Sequence, residues 1–173
     1  MFYSLKRISK SFLLSLFMLA TCTLYSGSKV DSLVNELSKY DETIEKADLL
    51  IDICGSYIRT DKQAAISYGD YALNLSEKLG YAKGRGKANY RLSYIYNKLD
   101  SMHMAIEYAK SALKDFTESK DTLLSGKLNQ LLGSYFYNKN FYDKAIVEYL
   151  KAVKYFELLN DNKNIGAITY NIG

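Results

Sequence analysis

Apolar residues recur along this chain at helical spacing, and the pattern is interrupted by short polar breaks. Leu128, Leu132, Tyr135 and Phe136 stand at i, i+4, i+7, i+8, and Ala88, Leu92, Ile95 and Tyr96 share that register. A second stripe runs through Ala145, Tyr149, Ala152, Val153 and Phe156. Each predicts an amphipathic helix with one buried face. The breaks carry capping signals: Thr60 three residues before Gln63, Asn140 three before Asp143, and the pair Asp100-Ser101. Upstream, Val30, Leu33, Val34 and Leu37 predict a short amphipathic helix.

The pattern repeats. Gly86, Gly126 and Gly166 lie 40 residues apart, as do Ala65, Ala105 and Ala145, and Ala72, Ala112 and Ala152. A further small-residue series, Cys54, Ser93, Gly133 and Gly173, has spacings of 39, 40 and 40, which places a one-residue deletion before Ala65. Four series with one period mark a repeat architecture. The predicted fold is all-α: an α-solenoid of tandem helix-turn-helix units of about 40 residues, following an N-terminal signal segment. The expected divisions are 1–28 for the signal, 29–41 for a capping helix, and repeats at 42–85, 86–125 and 126–165, with another beginning at 166–173. Because Ile172-Gly173 match Leu132-Gly133, the chain reads as the front of a longer protein.

Gly133 raises a local question, because glycine inside a helix costs roughly 0.5–1 kcal/mol relative to alanine. Small residues at Gly133, Ala145 and Ala152 would let two helix backbones approach, with Tyr135, Phe136 and Tyr149 filling the flanks. Each large apolar side chain so buried contributes about 1.5–3 kcal/mol, which outweighs the local penalty.

The motif Leu132-Gly133-x-x-Phe136, then Ala145, Tyr149 and Ala152, resembles the tetratricopeptide repeat. Leu92, Ser93, Tyr96, Ala105 and Ala112 follow it with Ala109 at the aromatic position, and Ile53, Cys54, Tyr57, Ala65 and Ala72 with Gly69 there. The resemblance covers roughly residues 42–173. It departs from the family in its longer period and in lacking the family's proline. It implies a concave groove lined by the first helices that binds a protein or peptide. Residues projecting from the first helices would then be Lys87, Tyr90, Arg91, Tyr94, Asn97 and Lys98, followed by Lys127, Gln130, Ser134, Tyr137 and Asn138. Tyrosines mixed with basic and amide groups suit a peptide segment.

Composition narrows the picture. Hydrophobic residues make up 48% and proline is absent, which suits long unkinked helices. Lys6, Arg7 and Lys10 precede an uncharged stretch from Ser11 to Ser28, the pattern of an export signal or a signal anchor. Leu19-Ala-Thr-Cys22 resembles a bacterial lipoprotein cleavage box. Either form places Lys29 onward outside the cytoplasm, periplasmic or attached to the envelope. Setting those three bases aside from the 23 of the chain leaves 20 against 19 acids, too balanced for nucleic acid.

No catalytic constellation emerges. His103 stands alone, without the ligands a metal needs. Cys54 occupies the helix-crossing position and reads as a small buried hydrophobe. Tyr81 to Lys87 (YAKGRGK) lacks phosphate-loop spacing and reads as a flexible linker. The expectation is a binding protein without enzymatic activity, cofactor or metal. Its partner would be a protein, a peptide or a second copy of the chain, and it would meet the membrane only through its N-terminus. The export signal, DSLVNELSKYDETIEKADLLIDICGSY and the repeats together also resemble the sensor region of envelope-spanning tetratricopeptide regulators, which continue into a kinase or DNA-binding output.

Overall fold

The computed structural model describes residues 30–172, so the expected signal segment and Cys22 lie outside the described residues. Among these residues the chain is all-helical, without strands. They fall in two compact units divided between Lys39 and Tyr40. The first contains α1, residues 30–37. The second contains α2 (Ile44–Tyr57), α3 (Lys62–Lys78), α4 (Ala82–Lys98), α5 (Met102–Glu118), α6 (Thr122–Asn138), α7 (Tyr142–Leu158) and α8 (Asn162–Ile172).

Within the second unit each helix packs on the next. The pairs α2/α3, α4/α5 and α6/α7 are the most intimate, and α2 with α4 and α4 with α6 also touch. This consecutive packing is consistent with an α-solenoid. The core passes from one hairpin to the next: Ala105, Ala109, Ala112 and Phe116 of α5 are buried with Leu128, Leu132 and Tyr135 of α6, while Ala145, Tyr149, Ala152 and Phe156 of α7 enclose Ile168 of α8. Positions 86, 126 and 166 lie inside first helices, because α4, α6 and α8 begin at Ala82, Thr122 and Asn162.

Five of the six turns in this unit share one geometry. Gly80, Asp100, Lys120, Asn140 and Asn160 all have left-handed φ, between 54° and 64°. The N–H of the residue after each returns to a carbonyl five residues back: Tyr81 to Ser76 at 2.8 Å, Ser101 to Tyr96 at 2.9 Å, Asp121 to Phe116 at 2.8 Å, Phe141 to Phe136 and Asp161 to Phe156 both at 2.9 Å. This is the Schellman closure, which satisfies carbonyls that a helix end leaves unpaired. The sixth turn, 58–61, has no left-handed residue. Eight positions there separate Tyr57 from Ala65, against nine from Tyr96 to Ala105, so the deletion shortens this turn and ends α2 early.

Several local expectations are corrected. Asp61, not Thr60, caps α3: its carboxylate accepts from the N–H groups of Gln63 and Ala64 at 2.9 and 3.0 Å. Asn140 and Asp100 end helices in left-handed conformation instead of starting them. The glycine-rich stretch 81–87 is no linker. From Ala82 it forms the first turns of α4, and its glycines admit aromatic rings: a Cβ on Gly86 would stand 2.5 Å from the Phe116 ring.

Gly133 also serves a ring. A Cβ there would lie 2.5 Å from Cδ1 and 2.6 Å from Cε1 of Tyr149, so the phenol ring of α7 rests directly on the α6 backbone. In the preceding hairpin the matching pair is Ser93 with Ala109, and Tyr135 reaches in from α6, its hydroxyl 3.4 Å from Ser93 Oγ. In the first the pair is Cys54 with Gly69, against which Leu92 of α4 is packed. Each crossing therefore has its own distribution of volume.

Candidate functional site

The helices α2, α4 and α6 contribute to one cleft of about 400 Å³. Asp48 and Asp52, one turn apart, come from α2, Lys87 and Arg91 from α4, and Lys127 from α6. Ile51, Tyr90, Phe116 and Leu124 provide apolar surface. Helical periodicity places residues three and four apart on one face, which is why 87, 90 and 91 converge. Ion pairing orders one side: Lys87 Nζ contacts Asp48 Oδ1 at 2.8 Å, and the Tyr81 hydroxyl donates to Asp48 Oδ2 at 3.1 Å.

Arg91 is arranged differently. It forms no ion pair among the described residues, and its guanidinium lies over the backbone of Gly55, where a Cβ would be 3.0 Å from Cζ. Its charge pulls the neighbouring Tyr90 phenol toward ionisation, although burial prevails and pushes that phenol above its ordinary range. The cleft thus joins an acidic wall on α2 to a basic wall on α4 and α6 across an aromatic floor.

Of the groove residues expected from sequence, Lys87, Tyr90, Arg91 and Lys127 meet in this cleft. Tyr137 lies in a second cleft of about 700 Å³ with Ser134 and Asn138 of α6, Tyr149 of α7, and Tyr170 and Asn171 of α8. Tyr94, Asn97 and Gln130 line neither. Tyr94 packs against the Cys54–Ile95 cluster beneath the Lys98 ammonium, 5.3 Å from the ring centre. The Asn97 carbonyl closes the α4 turn by accepting from Asp100 N–H, and the Gln130 carbonyl accepts from the Ser134 hydroxyl at 3.1 Å. The small-residue positions Cys54, Ala65, Ala72, Ser93, Ala105, Ala112, Gly133, Ala145 and Ala152 are all buried. Ser93 Oγ also donates to the Ala105 carbonyl at 2.8 Å, tying α4 to α5.

Sequence reading missed two features. The acids Asp48 and Asp52 had a signal in their i, i+4 spacing on α2. Asp115 is a buried carboxylate, held by Arg85 Nη2 at 2.8 Å and approached by Asn89 Nδ2 at 3.5 Å, where acids had been expected on solvent faces. Its signal was a charge on the buried stripe, three residues after Ala112 and one before Phe116. Cys54 is fully buried, and desolvation pushes its thiol up to about 12. The His103 side chain is 83% exposed. Among the described residues no cluster of His, Cys, Asp and Glu is placed to hold a metal, and no helix is long and apolar enough to cross a membrane.

The chain is similar in structure to BtubC (BKLC) from P. vanneervenii, whose crystal structure aligns with a TM-score of 0.64 at 18% sequence identity over 94% of this chain and 78% of that one. At this identity the likeness is one of fold: an all-helical, repeat-like array. No family model and no curated protein sequence matches the chain.

Proposed function

We propose that this chain is an exported, tetratricopeptide-like interaction module that binds a segment of a partner protein without catalysis. The observation that carries the reading is the cleft in which three successive first helices bring together Asp48, Asp52, Lys87, Tyr90, Arg91 and Lys127. An extended segment laid across these helices meets paired charges of both signs and an aromatic surface, the combination that gives protein interfaces their specificity. The repeat reading is supported by helix starts at Lys62, Met102 and Tyr142, and at Ala82, Thr122 and Asn162, each 40 residues from the last. It is supported also by burial of the small-residue series in every hairpin.

Selection of a displayed random-peptide library against the intact chain tests the proposal. Enriched peptides are expected to bind the wild type and to lose affinity with Tyr90→Ala combined with Arg91→Glu, while helicity is unchanged. Peptides that bind the double variant equally well, or a library that yields no binder, would refute it. Export is tested separately by fusing a reporter that is active only outside the cytoplasm to the end of the chain.

A further inference from the structure

The second cleft differs in chemistry from the first. Its lining side chains are Ser134, Tyr137, Asn138, Tyr149, Tyr170 and Asn171, and none is charged. The cleft falls within the size range of small-molecule sites, about 300–1,000 Å³. We propose that it binds a neutral oligosaccharide.

Three observations lead there. The first is the match of groups. A sugar ring has an apolar C–H face and a rim of hydroxyls that both donate and accept. Tyrosine rings offer flat apolar surfaces for the face, while asparagine amides and a serine hydroxyl offer both kinds of partner for the rim. A charged ligand would find no counter-ion among these six side chains.

The second is that the rings are held. Tyr149 forms the floor, its ring resting on Gly133 and its hydroxyl 3.2 Å from Ser134 Oγ. Tyr137 is braced edge-on by Tyr142, with ring centres 5.5 Å apart at 69°. Tyr170, 88% exposed, stands on the α8 wall. A flat ligand gains most from rings already in place, because little side-chain freedom is lost on binding.

The third is that the fold does not demand this lining. Forty residues earlier stand Tyr94, Asn97, Lys98, Ala109, Gln130 and Leu131, a set with a charge, two aliphatic residues and a single ring. The clustering of tyrosine and amide groups belongs to α6–α8 alone among these hairpins. This inference does not rest on the peptide reading of the other cleft, since no lining residue is shared.

Isothermal titration of the intact chain with cellohexaose, xylohexaose, chitohexaose and maltohexaose tests it. At least one is expected to bind, with affinity reduced roughly tenfold or more by Tyr137→Ala. Tyr170→Ala, at a side chain too exposed to affect folding, should act in the same direction, and Arg91→Glu in the other cleft should leave affinity unchanged. The proposal is overturned if none of the four binds at millimolar concentration. It is equally overturned if binding survives both tyrosine substitutions, or if proline-rich peptides occupy this cleft and the sugars do not.

Discussion

Replacing Gly133 by alanine should weaken the fold, even though alanine is the better helix former. Intrinsic propensity alone would make the change stabilising by about 0.5–1 kcal/mol. The new methyl would meet Tyr149 Cδ1 at 2.5 Å and Cγ at 2.9 Å, so the ring must retreat by roughly an ångström. Tyr149 is only 3% exposed and bonded to Ser134, which leaves it nowhere to go without disturbing Phe136 and Val153 around it. Overpacking of this kind costs about 1–3 kcal/mol, for a net loss of about 1–2 kcal/mol. Removing the ring reverses the sign. Tyr149→Ala alone should cost about 3–5 kcal/mol, and in that background Gly133→Ala should stabilise by about 0.5–1 kcal/mol through propensity and partial filling of the void. Urea denaturation of the four proteins of this double-mutant cycle, followed by far-UV circular dichroism with the slopes compared, measures the coupling. The same sign in both backgrounds, or a coupling below about 0.5 kcal/mol, would refute the claim that the glycine exists for the ring.

Lys120 has φ of 55° without the short polar side chain that eases this conformation in Asp100, Asn140 and Asn160, so Lys120→Gly should raise stability by about 1 kcal/mol in the same denaturation assay. Asp61→Ala should lose about 1 kcal/mol through the α3 cap, whereas Thr60→Ala should change little; comparable losses would restore Thr60 as the cap. The Cys54 thiol should resist a disulfide exchange reagent in the native chain and react at once in denaturant, because only the ionised thiol attacks. Since its folded value is raised from 9.0 to about 12, stability is intact below pH 9 and declines as pH climbs toward 12, where the unfolded thiol ionises first; a Cys54→Ala control should flatten that part of the melting-temperature profile.

The helical class and the hairpin order were legible because burial imposes a period of 3.6 residues, and that period survives in Leu128, Leu132 and Tyr135 and again in Ala145, Tyr149 and Ala152. The clefts were only half legible. Lys87, Tyr90 and Arg91 sit on one helix, so periodicity groups them; Asp48 comes 39 residues earlier and enters the cleft only through the packing of α2 against α4. Caps were misread for a related reason. Thr60, Asn140 and Asp100 have side chains that suit a helix start or a left-handed helix end equally well, and the choice is made by the Schellman hydrogen bonds around them. The YAKGRGK stretch misled because its glycines look like a break until Phe116, 30 residues on, is known to lie against one of them.

The unequal crossings have a consequence for biogenesis. Modules with similar sequences risk docking with the wrong neighbour as they emerge and fold. Here α6 set against α5 would leave Gly133 facing Ala109 across an empty space, while Ser93 set against α7 would collide with Tyr149. Each helix therefore recognises its own mate by shape, and mispaired intermediates can come apart and try again.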